Sequence, residues 1–240
     1  MIRLDNLTKH FGDTVAVNGL NLEVRPGEMF VFVGPNGAGK TTTIKLIAGL
    51  LRPTQGSATL CGYDVQRDYI QARSLLSYVP DQPFLYEKLT GREFLQFIGA
   101  VYGVDRSSVA EKIAHLSDLF EMEEFLDELG QTYSHGMKQR VVVSAALLHD
   151  PKVLVIDEPM VGLDPRGANT LKTVLKDLTR DGVTVFMSTH TLAVAEETAD
   201  RVGVIRRGSI IALGDLAQIH ATARTDGRLE EAFLRLTEET

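Results

Sequence analysis

The run GPNGAGKT, Gly34 to Thr41, satisfies the pattern G-x-x-x-x-G-K-[ST], which cradles phosphates when a buried strand precedes it and a helix follows. Both flanks are present: MFVFV (Met29 to Val33) stands in front, and helical spacing begins near Gly39 and stops before Pro53. Gly34, Gly37 and Gly39 allow backbone N–H groups to turn inward around an anion. Lys40 can then reach β and γ phosphates, and Thr41 can ligate magnesium at the positive helix end. Pro35, Asn36, Ala38 and Thr42 complete the stretch expected to wrap the phosphates. A turn that needed only glycines would have no use for the lysine and the threonine.

VLVIDEP places Asp157 and Glu158 at the end of an apolar strand, where open α/β sheets present their ligands. Asp157 suits a magnesium ion. Glu158, directly after it, suits a group that orients or deprotonates a water attacking the γ phosphate, which favours hydrolysis over binding alone. In TYSHGMKQRVVVSAALL (Thr132 to Leu148), Ser134 and Gly136 precede a buried helix; they cap it, and the free N–H groups of that helix end also attract an anion.

These groups must be carried by strands and helices in alternation. Short β-rich runs from Ile2 to Val33 are punctuated by Gly12-Asp13 and Pro26-Gly27, predicting a hairpin that leads into the buried strand. SATL and LLSYV read as further strands. TGRE (Thr90 to Glu93) and SVAE (Ser108 to Glu111) match the capping-box pattern, predicting helices over Gly91 to Tyr102 and Val109 to Phe120. After Pro151 come VLVID, a helix capped by Asp164 with Pro165 at its first position, VTVFMS, another helix, and a hairpin through Arg207-Gly208. The tail DGRLEEAFLRLTEET predicts an amphipathic helix with Leu229, Phe233 and Leu236 on one stripe.

A chain of 240 residues, 44% hydrophobic, is long enough for one large domain with a subdomain. A net charge of −7 weighs against nucleic acid as a partner, since phosphate-dominated binding needs a basic field. Cys61 is the only cysteine, so no intrachain disulfide forms and no Cys/His cluster has zinc spacing. The apolar runs fall short of the roughly 20 residues of a membrane span, and MIRLDNLTKHF lacks the apolar stretch of a secretion signal.

Neither N-K-x-D nor T-K-x-D is present to read guanine, so ATP is the nucleotide expected. Taken together, Gly34 to Thr41, YSHGMKQR, VLVIDEP, GLDP (Gly162 to Pro165) and STH (Ser188 to His190) stand in the order seen in ATP-binding cassette (ABC) ATPases. Over residues 1 to about 215 the chain resembles one nucleotide-binding subunit of such a transporter, most like cassettes of bacterial exporters of drugs, polysaccharides or peptides. The resemblance implies an α/β P-loop NTPase core with a mainly parallel sheet (1–84 and 151–216), an N-terminal antiparallel β subdomain, a helical subdomain inserted at about 85–150, and a helical tail, 217–240. It implies ATP and Mg2+ as cofactors, with catalytic roles for Lys40, Glu158 and His190 and magnesium on Thr41, Asp157 and a residue of PDQP. It places Phe11 against adenine, although a lone aromatic after a strand also suits a core. His190, read alone, suits a helix cap; in the family it contacts the γ phosphate.

The resemblance further implies that Ser134 and Gly136 bind the γ phosphate held by an opposite subunit, that Asp164 crosses toward that subunit, and that a separate transmembrane permease docks near Gln82 to Leu89 at the cytoplasmic face of the membrane. Two departures stand out. YSHGM replaces the common LSGGQ, with His135 at the first glycine, and PDQP offers Asp81 by direct alignment or Gln82, preferred on residue type, where the family has a metal-ligating glutamine. Phe84, Leu85 and Tyr86 suit either a docking groove or the core. A soluble ABC ATPase not coupled to transport is the alternative reading of the same motifs.

Overall fold

The computed structural model describes residues 1–225 and 227–238. Its centre is a 6-stranded sheet in the order β10-β9-β3-β8-β7-β6, built from β3 (Met29–Val33), β6 (Leu76–Val79), β7 (Val153–Asp157), β8 (Thr184–Thr189), β9 (Arg201–Arg206) and β10 (Ser209–Gly214). All neighbours are parallel except β9 and β10, the hairpin turned by Arg207-Gly208. A second, antiparallel sheet, β2-β1-β4-β5, is made from β1 (Ile2–Phe11), β2 (Thr14–Val24), β4 (Gln55–Leu60) and β5 (Tyr63–Asp64).

The central strands read as unbroken apolar runs because both faces are covered. On β3, Phe30 and Phe32 face the antiparallel sheet and α1 (Lys40–Ile47), joining Ile2, Leu4, Ile44 and Phe186. Met29, Val31 and Val33 face the other way, with Ile156, Met187 and the helical block. Phe30 and Phe186 pack with tilted rings at 5.3 Å between centroids, and β9 passes them with Gly203, whose Cβ would lie 2.8 Å from the Phe30 ring.

The helical block follows β6 and comprises α3 (Gly91–Val101), α4 (Arg106–Leu119) and α5 (His135–Leu147), preceded in the core by the short α2 (Tyr69–Ser74), which the sequence pattern did not predict. Thr90 and Glu93 form the capping box expected at α3. The box expected at Ser108 does not form: α4 begins three residues earlier, because Asp105 follows the turn at Gly103 (φ 69) and its carboxylate already accepts the Ser107 N–H at 3.1 Å. Of the apolar trio after PDQP, Leu85 is buried while Phe84 and Tyr86 are exposed.

After β7 come α6 (Pro165–Arg180), β8 and α7 (Leu192–Thr198). The tail is two helices, α8 (Leu216–Ala223) and α9 (Leu229–Glu238); Leu229 is buried and Phe233 and Leu236 pack against the same core. Asp226, Glu239 and Thr240, part of the tail stretch, lie outside the described residues. Among the described residues no helix is long and apolar enough to cross a membrane.

Candidate active site

The phosphate loop joins β3 to α1 and is shaped by its glycines. Gly37 and Gly39 take φ of 77° and 109°, the left-handed region open chiefly to glycine, and a Cβ on Gly34 would lie 2.4 Å from the Ile205 carbonyl. Gly39 is the N-cap of α1 and offers no capping side chain, which leaves the first-turn N–H groups available to an anion. Lys40 is buried, and its Nζ donates to Gly34 O at 2.7 Å and Pro35 O at 3.3 Å. Burial lowers the Lys40 pKa, against the opposing pull of Glu158 and Asp157.

Parallel pairing sets Asp157 beside Ser188, which brings the ends of β7 and β8 together. Asp157 is fully buried; its Oδ1 accepts the Ser188 hydroxyl, while Oδ2 has no partner. Burial raises its pKa, and hydrogen bonds from Ser188 and Thr41 partly offset that rise. Glu158 turns out of the strand with φ 49°, an unfavourable region for a non-glycine residue that clusters at functional sites. Its Oε1 lies 3.8 Å from Lys40 Nζ, and its Oε2 lies 2.8 Å from His190 Nδ1 and accepts the His190 N–H at 3.2 Å.

Lys40, Glu158 and His190 open onto a cleft of about 400 Å³, lined also by Asn36, Gly37, Thr41, Thr42, Asp81 and Gln82, with Asp157 buried behind them. Both residues of PDQP therefore reach it; Asp81 is near enough to Asp157 for its charge to help raise that carboxyl. Phe11 lies at the end of β1, exposed, with Lys9 Nζ 5.1 Å from its ring centroid; Ala16 on β2, rather than Phe11, lines the cleft wall.

Ser134, Gly136 and Asp164 open onto a different cleft, of about 770 Å³. Ser134 is the N-cap of α5, with its hydroxyl accepting the Met137 N–H at 3.3 Å. Asp164 caps α6 as expected, accepting the Gly167 N–H at 2.6 Å, and pairs with Arg140 at 3.3 Å. Sequence reasoning missed the supports of this face. Tyr133 is buried and its hydroxyl accepts the Gly91 N–H at 3.0 Å and lies 2.8 Å from Phe125 O, tying the loop before α5 to the start of α3. Gln139 Nε2 donates to Pro159 O at 3.3 Å. Their only sequence signal was position: Tyr133 stands where LSGGQ has leucine, and Gln139 and Arg140 lie about a turn and a half beyond Ser134 on the same helix.

A family model described as "ABC transporter" matches residues 17–161, from within β2 to the turn just past the acidic strand. The chain belongs to that family. It is an ATP-binding subunit of the ABC transporter type and an ATP hydrolase. The cassette is 36% identical over 214 residues to the linearmycin resistance ATP-binding protein LnrL of Bacillus subtilis, covering 89% of this chain and 69% of that one. It superposes with a TM-score of 0.94 and 31% identity on a solved ATP-binding subunit of an ABC transporter, covering 99% of this chain and 100% of that chain. A dimeric post-hydrolysis structure of the cassette MJ0796, bound to ADP and Pi, gives a TM-score of 0.83 and 26% identity over 90% of this chain and 99% of that one.

The residues present also fit a magnesium ion. Asp157 keeps one buried oxygen unpartnered, and Thr41, near enough to help hold that carboxyl's pKa down, supplies a second hard oxygen donor.

Proposed function

We propose that two copies of this cassette, or this cassette and a related one, close head-to-tail around two Mg-ATP and drive a separate membrane permease, as an exporter. What supports the head-to-tail reading is one observation: Lys40, Glu158 and His190 open onto one cleft, whereas Ser134 and Gly136 open onto another. Each chain then carries two half-sites, and a second cassette is needed to bring an α5 N-terminus against a phosphate. That LnrL is a linearmycin resistance protein supports the export direction.

In this mechanism ATP lies on the phosphate loop, with Lys40 exchanging its carbonyl partners for β and γ oxygens. Thr41 and Asp157, with Asp81 or Gln82, hold magnesium, which supplies positive charge to the phosphate oxygens when bound. Phe11 stacks on adenine. Ser134 and Gly136 of the second copy contribute a hydroxyl, an N–H and a helix dipole to the γ phosphate. Glu158 orients the attacking water and takes its proton, while His190 fixes the Glu158 carboxylate and reaches the γ phosphate. Closure moves the permease at the cytoplasmic face of the membrane, through the helical subdomain, and hydrolysis resets it.

The test is the mass of purified Glu158→Gln protein by light scattering, with and without Mg-ATP. A shift to twice the monomer mass on adding Mg-ATP is expected. Protein that binds ATP yet stays monomeric would overturn self-pairing, and co-purification with a protein of several membrane spans would then show whether the partner is a different cassette in a transporter or none.

A further inference from the structure

The triplet Ser134, His135, Gly136 does not face one way. Ser134 and Gly136 line the cleft of the α5 N-terminus, whereas His135, between them, lines the phosphate cleft of its own chain with Lys40, Glu158 and His190. Its ring lies across Gly162: a Cβ built on that glycine would fall 2.1 Å from His135 Cδ2 and 3.0 Å from its Nε2. Gly136 packs on the same residue, since its own Cβ would lie 2.9 Å from Gly162 O. One turn further along α5, Gln139 holds Pro159 O and Arg140 holds Asp164.

One face of α5 is therefore fastened at four points to the segment 159–164, which begins directly after Glu158. That segment is itself a tight turn, with Val161 N–H on Glu158 O at 3.2 Å and Leu163 N–H on Met160 O at 3.3 Å. Gly162 takes φ of 80°, so its peptide cannot swing aside without losing the left-handed turn. Of the four contacts, only the one from His135 also borders the phosphate cleft. A glycine at position 135 would keep the helix start and remove this contact.

We propose that His135 is a positioning residue that couples the two half-sites of one chain: through its packing on Gly162 it transmits the state of the phosphate cleft to Ser134 and Asp164, which complete the partner copy's site. The proposal rests on the head-to-tail reading above. Coupling of this kind is a free energy between two sites, and such couplings typically amount to about 5- to 150-fold in affinity.

The experiment is done in the Glu158→Gln background, so that ATP binds without turnover. Two quantities are measured: ATP affinity at protein concentrations too low for pairing, and the ATP concentration at half-maximal dimer by light scattering. His135→Gly is expected to leave the first within about twofold and to raise the second about 5-fold or more. Gly162→Ala, which drives a methyl into the ring, is expected to raise it as well. In the double variant the defects should be less than additive, because the clash needs both side chains. His135→Gln, which refills the space over Gly162, should restore part of the loss.

An unshifted dimer midpoint in His135→Gly would overturn the coupling while leaving the dimer reading intact. An equal loss of ATP affinity in the isolated monomer would also overturn it, since His135 would then be a direct nucleotide contact. No ATP-dependent dimer with His135 in place would sink the head-to-tail reading itself. Should Gly162→Ala fail to fold, the His135→Gly measurement decides alone.

Discussion

One oxygen of Glu158, Oε2, serves two groups of His190: it lies 2.8 Å from the ring Nδ1 and accepts the backbone N–H at 3.2 Å. The ring is the more exposed partner, 54% against 15% for the glutamate side chain. The carboxylate is thus held from the strand side by an N–H that mutation of the ring cannot remove, and from the solvent side by an imidazole that it can.

His190→Ala is accordingly expected to lower kcat by about 10²-fold, the loss usual for one electrostatic or hydrogen-bonding group at a reacting centre, with little change in ATP affinity. Steady-state phosphate release and nucleotide binding together check this. Loss of binding with kcat retained would mean that His190 holds the ground state only.

Lys40 meets ATP as a buried cation already occupied by Gly34 O and Pro35 O. Nucleotide phosphates replace both carbonyls with charged acceptors, and hydrogen bonds to charged groups contribute about 1.5–3 kcal/mol. Lys40→Ala is expected to weaken ATP binding by about 10- to 100-fold, read with a fluorescent ATP analogue. Its thermal unfolding without nucleotide should match the parent, because burial already disfavours the ammonium and offsets what its two carbonyl partners contribute.

Tyr133→Phe separates packing from anchoring. The ring contacts with Phe125 survive and Phe125 O keeps the Glu128 N–H, but the buried Gly91 N–H loses its acceptor. Leaving buried polar groups unpaired costs about 1–3 kcal/mol, and in a chain of this size each kcal/mol lowers Tm by roughly 2–4 °C. A Tm equal to that of the parent would show that the hydroxyl is not a structural tie.

How much of this was legible beforehand follows from where each constraint resides. The phosphate loop could be read because its glycines answer to backbone geometry alone, and Asp157 and Glu158 because an apolar strand ending in acids leaves them no other place. Strands β3, β7 and β8 were equally plain, being buried on both faces. The start of α4 was misjudged because Ser108 and Glu111 fit a local pattern that Asp105 had already pre-empted. Tyr133, Gln139 and the His135–Gly162 packing were not legible, since each depends on a partner 20 or more residues away or on a hydroxyl whose acceptors lie in another loop. Asp81 and Gln82 stayed unseparated for a related reason: the loop presents both to the cleft, and residue type alone does not rank them.

His149 provides a pH dependence independent of the nucleotide. It sits between α5 and β7, stacked on Tyr102 at 3.7 Å with Ser77 Oγ 3.4 Å from its Nε2, where the helical block meets the sheet. Burial pushes its pKa below the ordinary 6.5, outweighing the Leu76 backbone and Asp150, which favour the charged ring; Lys112 adds to the lowering. Above 6.5 both folded and unfolded chains carry the neutral ring, and stability is complete. As pH falls through that value the unfolded chain takes up the proton first, so stability is lost progressively down to the folded pKa. Thermal unfolding of the nucleotide-free protein should therefore fall by a few degrees more between pH 7.5 and 5.5 than that of His149→Phe, which keeps the stack on Tyr102 and cannot titrate. Parallel curves for the two proteins would show that His149 does not carry this dependence.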